Sequence, residues 1–189
     1  MLYYNDTINA SIKQGKRVGI MESESISYEI ERKFLVKELP ENLEKYPKCE
    51  IEQGYLCTEP VVRVRKMDDE YILTYKSGGL MIREEYEHKL GKKGYEHLIQ
   101  KADGTVISKI RYKIDDGNGH VIELDVFQGK LKGFVMAEVE FVSREDATDY
   151  VVPDWFAEEV TDTPMFHNSR ISKMSEEETE EFMKKIRMN

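Results

Sequence analysis

Charged side chains recur in this chain two residues apart, in runs of one sign. Glu29 and Glu31 are followed by Lys33. Glu85 and Glu87 follow Arg83. Glu123 pairs with Asp125 and Glu138 with Glu140, while Arg63 pairs with Arg65 and Lys109 with Arg111. Residues i and i+2 of a strand point the same way, so in extended segments each pair shares one face. Taken one strand at a time, the ordinary reading is a solvated outer face. Such a face mixes its signs, because like neighbours repel and opposite ones attract modestly. Acid pairs and base pairs kept apart need something else to neutralise them. Divalent cations satisfy clustered acids and a polyanion satisfies clustered bases. Both together describe a metal–polyphosphate site.

The elements that must position these groups read as strands. Period-two alternation marks eight segments: 28–36, 51–57, 61–67, 71–77, 81–88, 106–114, 121–127 and 134–142. Turn signals separate them at Asp68-Asp69, Ser77-Gly78-Gly79, Asp116-Gly117-Asn118-Gly119 and Lys130 to Gly133. An insert over 89–104 carries a short helix around Tyr95–Gln100, and the tail after Val142 reads as helical. Ser143 with Asp146, and Ser175 with Glu178, have the spacing of capping boxes. The expected fold is mainly β with helices: an eight-stranded antiparallel closed barrel with flanking and C-terminal helices, since closure removes exposed edges. A twisted open sheet is the alternative. The apolar faces then point outward under the helices, and the barrel interior is the charged side, an inversion that suits a ligand tunnel.

Bulk properties exclude several classes. A chain of 189 residues with net charge −9 has no broad attraction for nucleic acid or anionic membrane, so an anion site must be a local concentration of bases. Cys49 and Cys57 form neither a CxxC pair nor a disulfide framework, which fits a cytoplasmic setting. No run reaches transmembrane length and no signal peptide is evident. Residues 1–27 read as a flexible N-terminal extension, with Met21 a possible start, ahead of a single domain over 28–189. His88, His97, His120 and His167 are scattered, with surface or packing roles as the default.

Glu29-Ile-Glu31-Arg-Lys33 resembles the ExExK signature that opens CYTH proteins, the triphosphate tunnel metalloenzymes. The resemblance continues through Val62-Arg63-Val64-Arg65, Leu73 to Lys76, Arg83 to Glu87, Lys109 to Tyr112, Glu123 to Phe127 and Ala137 to Phe141, in order, and loosely through Glu159 to Ser169. It implies an eight-stranded antiparallel tunnel and the activities of inorganic triphosphatases, thiamine triphosphatases or class IV adenylate cyclases. It implies that Glu29, Glu31, Asp125, Glu138 and Glu140 hold magnesium or manganese, with Glu123 taken alongside Asp125. Lys33, Arg63, Arg65, Lys76, Lys109 and Arg111 would hold phosphates. Glu85 and Glu87, with Arg83, would sit near a second metal or the attacking water.

The leading expectation is metal-dependent cleavage of inorganic tripolyphosphate to pyrophosphate and phosphate. The alternatives are a cyclase, a thiamine or nucleoside triphosphatase, and a non-enzymatic polyphosphate or nucleotide binder. A binder needs the bases but not four acid pairs. Tyr75, Tyr86 and Tyr112 fall on the outward face, so no inner aromatic is expected to stack a base. A small-molecule substrate is the expected partner, and monomer or homodimer is left open.

Overall fold

The computed structural model describes residues 27–77 and 82–188; the extension before Ser27 and the Gly78-Gly79 turn lie outside the described residues, as do the side chains of Glu29 and Arg83. Among the described residues nine strands follow the alternation: β1 (Ser27–Val36), β2 (Lys48–Thr58), β3 (Val61–Met67), β4 (Glu70–Lys76), β5 (Ile82–Lys89), β6 (Ile107–Asp115), β7 (Val121–Phe127), β8 (Val135–Glu140) and β9 (Phe156–Glu159). Four α-helices accompany them among the described residues: α1 (Lys92–Ile99), α2 (Arg144–Asp149), α3 (Asn168–Ile171) and α4 (Glu176–Met188).

The strands pair antiparallel in the order β5-β4-β3-β2-β6-β7-β8-β1-β9, and β5 also pairs with β1. That seam runs only from Ser27 to Ile30 on β1, so the ring of β1 to β8 is not sealed along its whole length. Beyond the seam β9 takes up β1, with Phe34 opposite Glu159. The ninth strand corrects the expectation of eight. It lies in the segment read as helical, and four residues of alternation are too few to stand out from a helical pattern.

The inner faces change character along the ring. On β1 the inward series runs Glu31, Lys33, Leu35; on β6, Ile107, Lys109, Arg111; on β7, Phe127, Asp125, Glu123; on β8, Met136, Glu138, Glu140. Antiparallel neighbours run in opposite directions, so all four series turn apolar at the same end. There Leu35, Ile107, Phe127 and Met136 join Phe134, Phe166, Phe182 and Met183 in one buried cluster. The expectation of a charged interior throughout is thereby corrected: helix α4 packs on the apolar end of the barrel instead of on an outer face. Glu178 and Ser175 cap this helix reciprocally, backbone N–H to side chain, at 2.8 and 3.1 Å. The outer faces supply a second cluster, in which Phe34, Leu124, Ala137 and Val139 lie under Ala147, Tyr150 and Phe156. Burying each large side chain contributes roughly 1.5–3 kcal/mol.

The β6–β7 turn is fastened to α2 by His120. Gly117 and Gly119 take φ of 77° and 100° there, conformations that favour glycine. Asp116 Oδ1 accepts from the Asn118 and His120 backbone N–H groups. The His120 ring lies between two carboxylates, Nδ1 3.2 Å from Asp116 Oδ2 and Nε2 3.0 Å from Asp146 Oδ1, and against Phe141 and Tyr150. Only the imidazolium has an N–H for each. The hydrogen bond to Asp146 leads the effects that raise the His120 pKa above 6.5, against some burial. A raised folded-state pKa adds stability that is complete below the unfolded value and is lost as pH rises through the folded one. The melting temperature should therefore fall as pH rises from 6.5, and the slope in that window should flatten in His120→Gln. An unchanged slope in the variant would remove His120 as its source.

Candidate active site

The charged end of the barrel encloses a cavity of about 280 Å³. Its basic lining is Lys33, Arg63, Arg65, Lys76 and Arg111, and its acidic lining is Glu31, Glu85, Glu87, Glu138 and Glu140. Strand register explains the wall. Lys33 lies opposite Glu138 and Glu31 opposite Glu140 across β1–β8. Lys76 lies opposite Glu85 across β4–β5, and Arg63 opposite Tyr55 across β2–β3.

These groups partner one another. Lys33 Nζ is 2.7 Å from Glu138 Oε1 and 2.9 Å from Glu31 Oε1. Arg111 Nη2 donates to Glu138 Oε2 at 2.6 Å. Lys76 Nζ is 3.1 Å from Glu85 Oε2, and Arg65 Nη2 is 3.0 Å from Glu87 Oε1. Arg63 Nη2 donates to Thr74 Oγ1 at 3.1 Å and lies 3.8 Å from Glu85. Donors remain over: the Nε groups of Arg63 and Arg65 are buried without a partner. Burial, and then the neighbouring Arg63, lower the Arg65 pKa. Burial alone would raise the Glu138 carboxyl, but Lys33, Arg111 and Lys109 hold it well below the usual carboxylate range. Burial would likewise lower the Lys33 ammonium, and Glu138 and Glu31 outweigh it and raise its pKa. Both therefore stay charged near neutral pH.

The proposed site residues do not all meet here. Lys109, Asp125 and Glu123 are not among the lining residues. Asp125 is fully buried, accepts from Lys109 Nζ, and accepts from Arg111 Nε and Nη2 at 2.6 Å each. Glu123 is held by Arg111 Nη1. Lys109 and Asp125 sit where the inner faces turn apolar, and the Phe127 ring centre lies 5.6 Å from Lys109 Nζ, whereas Glu123 lies farther from that end, opposite Glu138. Burial, and then Arg111, lower the Lys109 pKa. The positions of Glu29 and Arg83 face each other across the β1–β5 seam.

Other lining residues carry no charge pattern that would have singled them out: Tyr55, Val61, His167, Asn168 and Ser169. Tyr55 corrects the expectation of no inner aromatic. It shares a face with Ile51 and Gln53, a run without charges. His167, read as a surface or packing histidine, lines the cavity, and its Nε2 is 3.1 Å from the Thr161 carbonyl. Arg170 and Lys173 are tied elsewhere, to Glu178 and Asp103. Tyr75 and Tyr86 pair with each other, 5.9 Å apart.

Among the described residues no helix is long and apolar enough to cross a membrane. Residues 27–176 match the CYTH domain. An inorganic triphosphatase of Nitrosomonas europaea is 38% identical over 148 residues, 76% of this chain and 96% of that protein. One of Acetivibrio thermocellus is 36% identical over 153 residues, 77% of this chain and 93% of that protein. A crystal structure of an inorganic triphosphatase superposes with a TM-score of 0.61 at 34% identity, covering 80% of this chain and 98% of that one. With its barrel, its cavity lined by paired acids and bases and this extent of similarity, the chain belongs to the CYTH domain family.

Proposed function

We propose that this protein is a metal-dependent inorganic triphosphatase that cleaves tripolyphosphate to pyrophosphate and phosphate. The observation that carries the reading is the pair of buried, unpartnered guanidinium donors on Arg63 and Arg65 in a cavity that also presents Lys33, Lys76 and Arg111. Buried donors without acceptors are costly, and phosphate oxygens are the acceptors that planar guanidinium groups suit best. The two relatives that span most of this chain bear the same activity in their names.

The acids fit a divalent cation. Glu31 faces Glu140, and Glu138 faces Glu123, in direct cross-strand register, and like charges so placed repel. Among the described residues no three acidic, histidine or cysteine side chains gather into a cage for a bare ion. Magnesium needs none, because it takes one or two carboxylates and fills its remaining positions with waters and phosphate oxygens. Glu31, Glu138 and Glu140 are the residues we assign to it, with magnesium or manganese the ion, and Glu29 joins them by its place in the ExExK motif. When bound, the cation would neutralise phosphate oxygens and the charge that develops on them.

Phosphoryl transfer asks the protein for positioning and charge stabilisation rather than covalent chemistry. Lys33, Arg63, Arg65, Lys76 and Arg111 grip the triphosphate oxygens as its own carboxylates release them. Glu85 and Glu87, on β5 and separated from the strand of Glu138 by β1 alone, orient the water for in-line attack, with Arg83 of the same strand as their partner in that role.

The test is a substrate panel: tripolyphosphate, ATP, thiamine triphosphate and pyrophosphate with magnesium or manganese, products resolved by anion-exchange chromatography. Tripolyphosphate should show the highest kcat/KM. Cyclic AMP from ATP with tripolyphosphate untouched would replace the reading with a cyclase. Arg63→Ala should weaken substrate binding by the loss of charge-assisted contacts, about 1.5–3 kcal/mol. It should leave the urea midpoint equal or higher, because it relieves repulsion with Arg65. An unfolded Arg63→Ala chain would make that arginine structural.

A further inference from the structure

The ring of strands leaves a gap that the tail fills. β1 pairs with β5 only as far as Ile30, and from Phe34 onward β9 pairs with it instead. Between those stretches the residues after β9 bind Lys33. Its carbonyl accepts from the Val160 N–H at 2.8 Å, and its own N–H donates to Thr161 Oγ1 at 3.0 Å. The ammonium of that same lysine lies between Glu31 and Glu138. The next link is His167. Its Nε2 lies 3.1 Å from the Thr161 carbonyl, and its neighbour Phe166 is anchored in the apolar cluster. His167 is thereby tied to the acid-bearing stretch of β1, and it lines the same cavity as those acids.

A carbonyl oxygen only accepts, so the contact with Thr161 puts a hydrogen on Nε2 and leaves Nδ1 of the neutral ring an acceptor. Nδ1 has no hydrogen-bond partner among the described residues and remains accessible. A ring held by a backbone carbonyl at one nitrogen and open at the other is the arrangement of a metal-bound imidazole, in which the outer contact fixes tautomer and orientation. Carboxylates and water suit magnesium, whereas an imidazole favours later first-row cations. We propose that His167 is a cation ligand: its Nδ1 joins Glu31, Glu138 and Glu140 on the cation that accompanies the triphosphate, and tilts the site from magnesium toward cobalt. Thr161, through its carbonyl, is the positioning residue. The set closes only around a cation brought in with phosphate oxygens, since among the described residues no three such side chains form a cage by themselves.

This rests on the triphosphate reading above, and the experiment separates the two. The probe is a bis-methylene analogue of tripolyphosphate, which resists hydrolysis and carries no nitrogen, bound together with manganese. Pulsed electron paramagnetic resonance of that complex should show a directly coordinated nitrogen. Its signal should change to that of the heavier isotope in wild-type chain grown with ¹⁵N-histidine, a comparison that needs no variant. In His167→Gln, checked by thermal melting, the signal should be absent. Calorimetric titration of cobalt and of magnesium in the presence of the analogue gives the preference for cobalt. An outer contact alone is worth about ten- to a hundredfold in metal affinity, so that preference should fall by at least about tenfold in His167→Gln. If the wild-type chain binds manganese and analogue with no histidine nitrogen on the metal, the proposal fails while the triphosphate reading stands. If His167→Gln weakens cobalt and magnesium alike, the histidine serves the tail or the phosphate and the proposal again fails. Failure of the wild-type chain to bind the analogue with any of these cations overturns the triphosphate reading and the proposal with it.

Discussion

Removing divalent cations should lower tripolyphosphate turnover by about a thousandfold or more. The expectation comes from the charge of the cavity. Among the described residues its wall has five bases and five acids, so its formal charge sums to zero. Five bases alone would suit a highly charged anion, but here each has a carboxylate at hand, as in Lys33 with Glu31 and Glu138 or Lys76 with Glu85. A triphosphate that drew the bases away would leave Glu31, Glu138 and Glu140 crowded and uncompensated in a partly enclosed space, where unscreened charge is costly. Substrate and cation thus have to enter as a pair, one taking the bases and the other the acids. Two measurements follow. Turnover in chelator should vanish and return with added magnesium or manganese. The melting temperature should rise with tripolyphosphate analogue and magnesium together, and much less with either alone. Glu138→Gln should lose most activity even at high magnesium, because it removes a carboxylate from the acid set and a partner from Lys33 and Arg111. Full activity in chelator would overturn the assignment of the acids.

The difference between what the sequence disclosed and what it hid follows the strand period. Alternation with segregated signs disclosed Lys33, Arg63, Arg65, Lys76 and Arg111 as one set, because barrel closure brings successive inner faces around one axis. The same alternation could not say where along that axis a residue lies. Lys109 shares a face with Arg111, yet it sits one step nearer the apolar end, and that step takes it out of the cavity that Arg111 lines, while neither Asp125 nor Glu123 on β7 lines it. The depth is set by register: Lys109 is opposite Phe127, and Asp125 opposite Met136. Tyr55 escaped for the converse reason, since an uncharged face has no sign to segregate. His167, Asn168 and Ser169 reach the cavity from a tail whose path depends on β9 pairing with β1, a long-range contact with little local signal.

Asp125 gives the sharpest test of that difference in depth. Asp125→Ala should destabilise the protein by about 3–5 kcal/mol, the usual cost of breaking a buried ion pair from one side. The carboxylate is fully buried and serves two cations, Lys109 Nζ and the Arg111 fork, which binds it through Nε and Nη2. Removing it leaves the Lys109 ammonium, itself buried and packed by Phe127, with no carboxylate bonded to it among the described residues. Arg111 is better provided for, because Glu123 and Glu138 still accept from it. The loss should therefore fall mainly on Lys109. This predicts a rescue: Asp125→Ala combined with Lys109→Met should regain much of the lost stability, since a buried pair exchanged for apolar groups of similar volume is often neutral. Urea denaturation of both variants measures the coupling directly as a departure from additivity. A carboxylate whose main work was to hold a cation would behave differently. Its removal would leave the urea midpoint of the metal-free protein unchanged or raised, Lys109→Met would rescue nothing, and the magnesium concentration needed for turnover would rise instead.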